Sequence, residues 1–279
     1  MTQTTEKVNQ AAELLTAAMN NITSTEAFQA YLTTVANFVQ YDYSMRNCLL
    51  IAMQNECASK VAGFQTWKKS GRHVKKGEKA IKILAPCPFE YTVKKLDENG
   101  NEYEAIAKGM RFRVVSVFDI SQTENDDGTP DPDKVPVNIL ADDVNGFEKL
   151  FNAMRTATTA PIDYEEITSG ANGYYSPAKH FIRVKSGMPE AQTIKTEAHE
   201  IAHSLLHCGE CDLTREDVEL EAEATAFVVC NYFGIDSSDY SLGYIAGWNP
   251  DPKALANSLE RIKDAAKKII EAANAALAA

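Results

Sequence analysis

Residues 121–137, SQTENDDGTPDPDKVPV, set three prolines among acidic side chains with almost no apolar content. Such a segment can neither continue a helix nor fill a buried strand, so it reads as a linker. It parts the 279 residues into two units of opposite charge. Residues 1–115 carry 15 Lys/Arg against 11 Asp/Glu, a net +4, and residues 116–279 carry 13 against 28, a net −15. Two units with different partners are expected, 1–120 and 138–279. With 44% hydrophobic residues, the chain can bury a sizeable core.

Periodicity predicts an α+β protein: N-terminal helices with a small antiparallel sheet, then a mostly helical unit with a short sheet. Helices are expected over 5–20, 25–40 and 44–56. In the second, Phe28, Leu32, Val35, Phe38 and Val39 recur at helical spacing. The Thr25 hydroxyl suits its start, where backbone N–H groups lack partners. Strands are expected at 80–86, 89–95 and 111–119, with Asn-Gly inside 97–101 as a hairpin turn. The second unit should hold helices near 143–157, 189–207, 215–233 and 253–277, and a strand at 180–184. The N-terminus lacks a basic start followed by an apolar run. No window approaches the roughly 18 apolar residues of a membrane helix. A cytoplasmic protein without membrane contact is expected, its six cysteines reduced.

His199, Glu200 and His203 form H-E-x-x-H. Positions four apart on a helix differ by about 40° around its axis, so both imidazoles leave one face, as two ligands of one ion must. Glu200, about 100° away, stands beside the ligands, where it can take a proton from a nucleophilic water. A catalytic zinc commonly uses three protein ligands. The segment EDVELEAEATAFVVC, 216–230, offers Glu219, Glu221 and Glu223 on an otherwise apolar helix. Three glutamates spaced by two cannot share one face, so at least one is expected in solvent. Residues 173–185 could form an edge strand that pairs with an extended peptide substrate. Tyr174, Tyr175, His207 and Tyr232 are candidate oxyanion donors. Cys208 and Cys211 have C-x-x-C spacing but lack the second pair of a structural zinc site, and read as reduced thiols.

In the basic unit, residues 61–84 hold Lys68, Lys69, Arg72, Lys75, Lys76, Lys79 and Lys82 against Glu78 alone, beside Phe64 and Trp67. Cations neutralise phosphates and aromatic faces stack unpaired bases, which suits single-stranded nucleic acid read without sequence. The candidate DNA-binding residues are Trp67, Lys68, Lys69, Arg72, Lys75, Lys76 and Lys79. Gly71 and Gly77 should make tight turns that bring backbone and lysines to the strand.

The stretch HEIAHSLLH…ELEAEATAFVV resembles the gluzincin metallopeptidases, and more closely the zincin domains of the ImmA/IrrE and ArdC type. That resemblance implies Zn2+ and a ligand glutamate directly before Ala, a description met by Glu221 and Glu223. Glu223 lies 20 residues after His203, the thermolysin-like spacing, and is the expected third ligand with His199 and His203. The thermolysin-like pattern also sets an Asp four residues after its ligand. Phe227 stands there, so an orienting acceptor must come from elsewhere. The N-terminal unit is similar to the N-terminal domain of ArdC-type antirestriction proteins. Tyr43, Ser44, Asn47, Gln54, Gly63, Phe64, Trp67, Gly71, Arg72, Val74, Lys76, Gly77, Glu78, Lys79, Ala80 and Ile81 carry the match. The resemblance implies a single-stranded-DNA-binding domain followed by a zincin-like metallopeptidase domain, in a protein that shields entering mobile DNA from restriction. Two other readings are open: a metalloprotease recruited by DNA to cleave a repressor, and a DNA-binding protein with a non-catalytic zinc.

Overall fold

The computed structural model describes residues 13–41 except 14 and 23, then 43–96, 101–129, 146–209, 213–235 and 252–279. Residues 15–21 are helical, and the earlier part of the helix expected over 5–20 lies outside the described residues. Helix α1 (Thr25–Phe38) starts one residue sooner than its hydroxyl pattern suggests, because the Ser24 side chain accepts from the Ala27 N–H at 3.2 Å. Ser44 caps α2 (Met45–Gln54) in the same way. Strand β1 (Val61–Ala62), the short helix α3 (Phe64–Lys69) and strand β2 (Arg72–Val74) follow.

The two strands expected at 80–86 and 89–95 are one, β3 (Ile81–Leu96), paired antiparallel over its whole length with β4 (Glu102–Asp119). Pro86 and Pro88 do not interrupt it, for a reason visible at its base. The N–H groups of Lys82 and Leu84 point away from β4, to Gln54 Oε1 and Asn47 Oδ1, both at 2.8 Å. Side chains and backbone alternate with period two, so Pro86 and Pro88 occupy further outward places where the ladder needs no donor. Asn47 and Gln54 also donate to the Leu84 and Lys82 carbonyls, at 2.9 Å each. They are structural staples between α2 and β3. The Asn-Gly turn lies outside the described residues.

The segment expected as a linker begins inside the fold. Strand β5 (Thr123–Asn125) pairs with β2, and the Arg72 guanidinium reaches it at Thr123 Oγ1 (2.8 Å) and Asn125 Oδ1 (2.6 Å). Residues 130–137 lie outside the described residues.

The second half holds α4 (Gly146–Met154), β6 (Ile162–Glu165), β7 (Gly173–Ser176), β8 (Phe181–Lys185), α5 (Glu190–Leu206), α6 (Arg215–Tyr232) and α7 (Pro252–Leu277). The sheet order is β6-β8-β7, with β6 parallel and β7 antiparallel to β8, so β7 is an edge strand. The sheet packs on α5, and α6 packs on both α5 and α7. Leu259, Ile262, Ala266, Ile269, Ile270 and Ala273 recur every three or four residues along α7 and are buried. One apolar core joins the two halves. It runs from Phe28, Tyr31 and Leu32 of α1 into α6 and α7, and the Tyr31 hydroxyl donates to the Leu259 carbonyl at 3.1 Å.

Candidate functional site

Helix α5 brings His199 and His203 to one face, their Nε2 atoms 3.0 Å apart. Helix α6 is fixed at its start by a reciprocal cap between Thr214 and Asp217, which sets the rotation of everything after it. Glu219 and Glu223, four apart, therefore share the face turned toward α5. Their roles divide. Glu219 Oε2 lies 3.5 Å from His199 Nε2 and 3.8 Å from His203 Nε2, and these three side chains form a group whose donor atoms converge within 4.8 Å. Glu223, expected to complete that group, lies on the other side of the ring, with Oε2 at 3.1 Å from His199 Nδ1 and Oε1 at 3.5 Å from Lys195 Nζ. Counted from Glu219, Glu223 stands four residues on, one helical turn further along α6.

Glu221 faces the opposite way, and it is not in solvent: its side chain is 0% exposed. Burial of a charge demands partners. It has the Arg261 guanidinium of α7, bound through both carboxylate oxygens, and His207 Nε2 at 3.2 Å. Burial works against its charge, but His207 and Arg261 hold its carboxyl below the usual range. His207 Nδ1 in turn meets His203 Nδ1 at 3.0 Å. A chain thus runs from Arg261 through Glu221 and His207 to His203.

Hydrogen-bond logic fixes the tautomers along these contacts. A carboxylate only accepts, so His199 donates from Nδ1 to Glu223 and its Nε2 is bare. Ionised Glu221 accepts from His207 Nε2, which leaves His207 Nδ1 to accept from His203 Nδ1. With neutral rings, His203 Nε2 is bare as well. Two lone pairs then face each other at 3.0 Å beside the Glu219 carboxylate. Three acceptors with no donor are unfavourable unless a cation lies among them. Two imidazoles and one carboxylate are a divalent-metal donor set, so these residues fit such an ion. In the metal-free chain a proton takes its part. Burial disfavours charge on His199, yet Glu219 and Glu223 raise its pKa to about 9. Burial and the His199 charge push His203 down.

Glu200 is buried beside this group. Burial raises its pKa to about 7, against the pull of His199, and the Tyr175 backbone N–H donates to it. Strand β7 can approach so closely because residue 173 is glycine. A Cβ there would stand 2.7 Å from Thr196 Cγ2 and 3.1 Å from Glu200 Cγ. Asn172, Gly173, Gln192, Lys195, Thr196, His199, Glu200 and Glu223 line a cavity of ≈ 310 Å³ that opens beside the histidines. The four candidate oxyanion donors are engaged elsewhere. Tyr174 donates to Glu165, Tyr175 meets His180, Tyr232 meets Gln40 and Asn274, and His207 belongs to the chain behind His203.

The basic surface differs from its expected form. Trp67 is 2% exposed, its indole N–H donating to the Phe118 carbonyl at 2.8 Å, so it cannot stack a base. Arg72 is 7% exposed and is spent on β5, with its guanidinium carbon 5.8 Å from the Trp67 ring centre. The pair fills the space between α3, β2 and β4. Lys68, Lys69, Lys75, Lys76 and Lys79 are exposed, although Lys75 donates to the Ser121 carbonyl. Gly71 and Gly77 have φ of 72° and 93°, the left-handed turns that glycine allows. No disulfide joins the described cysteines. Among the described residues, no helix is long and apolar enough to cross a membrane.

Residues 1–118 match the family model of the N-terminal domain of anti-restriction factor ArdC. An uncharacterized protein of Bacillus anthracis is 26% identical over 92% of this chain and 50% of its own length. The chain thus spans about half the length of that curated relative. The fold is similar to the crystal structure of antirestriction ArdC protein from the R388 plasmid. For the metal-free form the TM-score is 0.54 at 22% identity, covering 84% of this chain and 86% of that one. For the Mn(II)-bound form it is 0.51 at 21% identity, covering 83% and 85%.

Proposed function

We propose that this chain is an ArdC-type antirestriction factor of a mobile element, with a metal-dependent peptidase site in residues 138–279 and single-stranded-DNA binding in residues 1–120. The observation that carries the peptidase reading is the convergence of three bare acceptor atoms beside a buried glutamate. His199, His203 and Glu219 would hold the ion, which we assign as Zn2+. When bound, it would acidify a water and polarise a peptide carbonyl. Glu200 takes the proton from the attacking water and returns it to the leaving nitrogen. Burial, which raises its carboxyl in the metal-free chain, favours its picking up that proton. Glu223 and His207 fix the two rings from behind. The edge strand β7 offers its backbone to an extended peptide lying along the cavity.

DNA binding is assigned to Lys68, Lys69, Lys75, Lys76 and Lys79, without Trp67 and Arg72. The test of the enzymatic reading is Glu200→Gln. Peptide cleavage should fall at least about a hundredfold, the usual scale of a lost acid-base group, while bound metal stays equal to wild type. Undiminished cleavage by this variant would exclude Glu200 as the proton carrier. Undiminished antirestriction with cleavage lost would make the metal site dispensable for that role.

A further inference from the structure

Beyond Ala85 and Arg113 the β3–β4 pair leaves the body of the protein. From Pro86↔Phe112 to Leu96↔Glu102 the strands stay in register, and no described residue of that stretch is buried. At about 3.4 Å per residue this is a ribbon of roughly 35 Å, open on both faces. A two-stranded ribbon without a covering layer gains little from burial, so its side chains are free for a partner.

The register sorts those side chains into two unlike faces. Pairs with odd numbers share one face. Along the open stretch and its root it carries Phe89, Tyr91, Tyr103, Lys95, Arg111 and Arg113, with no carboxylate. Over the same rows the even face carries Glu90, Glu102 and Glu104 against Lys94 and Lys108, so it has no excess of cations. Lys94 and Glu102 are already paired at 2.9 Å. Among the described residues, the cations of the odd face have no such answer. Phe89 lies over Gly109, where a Cβ would come within 2.5 Å of the ring, and the Arg111 guanidinium stands 3.8 Å from the ring centre. Tyr91 and Tyr103 are 47% and 49% exposed. Rings and cations alternating along one strip match a chain of phosphates with unpaired bases.

We infer that the odd-numbered face of the β3–β4 ribbon is a single-stranded-DNA platform, on which Tyr91 and Tyr103 stack bases and Lys95, Arg111 and Arg113 hold phosphates. It rests on reading the N-terminal part as a single-strand binder, and it supplies the aromatic surface that buried Trp67 cannot. The lysines at 68–79 then extend the phosphate track and do not form it alone.

The test is fluorescence anisotropy of a labelled oligo-dT strand with the full chain across a salt series. Tyr91→Ala with Tyr103→Ala should weaken binding at least about tenfold, since each stacked base commonly contributes that much, and leave the salt slope unchanged. Arg111→Gln with Arg113→Gln should lower the slope by about 1.4, roughly 0.7 per phosphate contact on a single strand. Ile106→Ser with Met110→Ser, on the other face, should stay within about twofold of wild type. Losses that match on both faces, or that match on a duplex of equal length, overturn the platform. So does a tyrosine pair without effect when Lys68, Lys69, Lys75, Lys76 and Lys79 changed to Gln abolish binding, although single-strand binding itself then stands. A wild-type chain that ignores oligo-dT removes both.

Discussion

His199 is pulled by two carboxylates that want different things from it. Glu223 takes the proton on Nδ1 and orients the ring, while Glu219 faces Nε2 and competes for whatever positive species sits there. In the metal-free chain the protonated ring is the stabilised one. That contribution is complete below the ordinary value of 6.5 and lost as pH rises through about 9. A divalent ion reverses the dependence, because it needs the neutral ring. Metal affinity should therefore rise with pH toward about 9, and binding near neutral pH should release about one proton. Calorimetry in two buffers of different ionisation enthalpy reads this directly. Proton uptake, or affinity independent of pH between about 6 and 8, would contradict the contacts drawn around His199. At this scale the sequence was half legible. His199, Glu200 and His203 could be read from spacing alone, because a helix converts four residues into one face. The third carboxylate could not. Glu219, Glu221 and Glu223 are chemically identical, and what separates them is the rotation of α6 against α5. One sign is present in the sequence: Glu219 and Glu223 stand one turn apart, the relation expected of a ligand and its orienting carboxylate.

Between elements, the ties that hold the site are polar and buried. Glu221 joins α6 to α7 through Arg261 and to the end of α5 through His207. Arg261→Leu would leave the Glu221 charge in the interior with His207 and Ser258 as its remaining side-chain partners. Breaking one side of a buried pair typically costs about 3 kcal/mol. Urea unfolding of the metal-free chain at pH 7 should show a loss of that order, and at pH 4 a smaller one. The sign follows from the depressed carboxyl: its contribution is present above the ordinary carboxylate range and fades as pH falls. Equal stability of variant and wild type at pH 7 would mean the ion pair is incidental. Most elements could be read from the sequence to within a few residues, since periodicity and caps are local. Pattern alone divides β3 at its prolines, because the direction of each N–H depends on which neighbour pairs, and only α2 reveals that. Trp67 and Arg72 read as DNA contacts in the sequence because a basic, aromatic cluster looks the same whether it faces solvent or the backbone of β4 and β5.

For the molecule as a whole, charge divides what packing unites. The basic and acidic halves are clear from composition, yet α1 lays Phe28 and Tyr31 against α6 and α7. Apolar residues carry no label for the partner they will meet, so the shared core was not legible. Its consequence is mechanical: α6, which carries Glu219 and Glu223, is braced from the far side by the half that carries the ribbon and the lysines. The proposed DNA and metal sites are thereby built on one continuous body.

The central claim is that α6 presents Glu219, and not Glu223, to the pair of histidines. Elemental analysis of purified wild type beside His199→Ala, Glu219→Ala and Glu223→Ala tests it most directly. One divalent ion is expected in wild type, none in the first two variants, and an ion retained by Glu223→Ala with affinity weaker by about 10–100-fold. Full metal in Glu219→Ala, with none in Glu223→Ala, would contradict it.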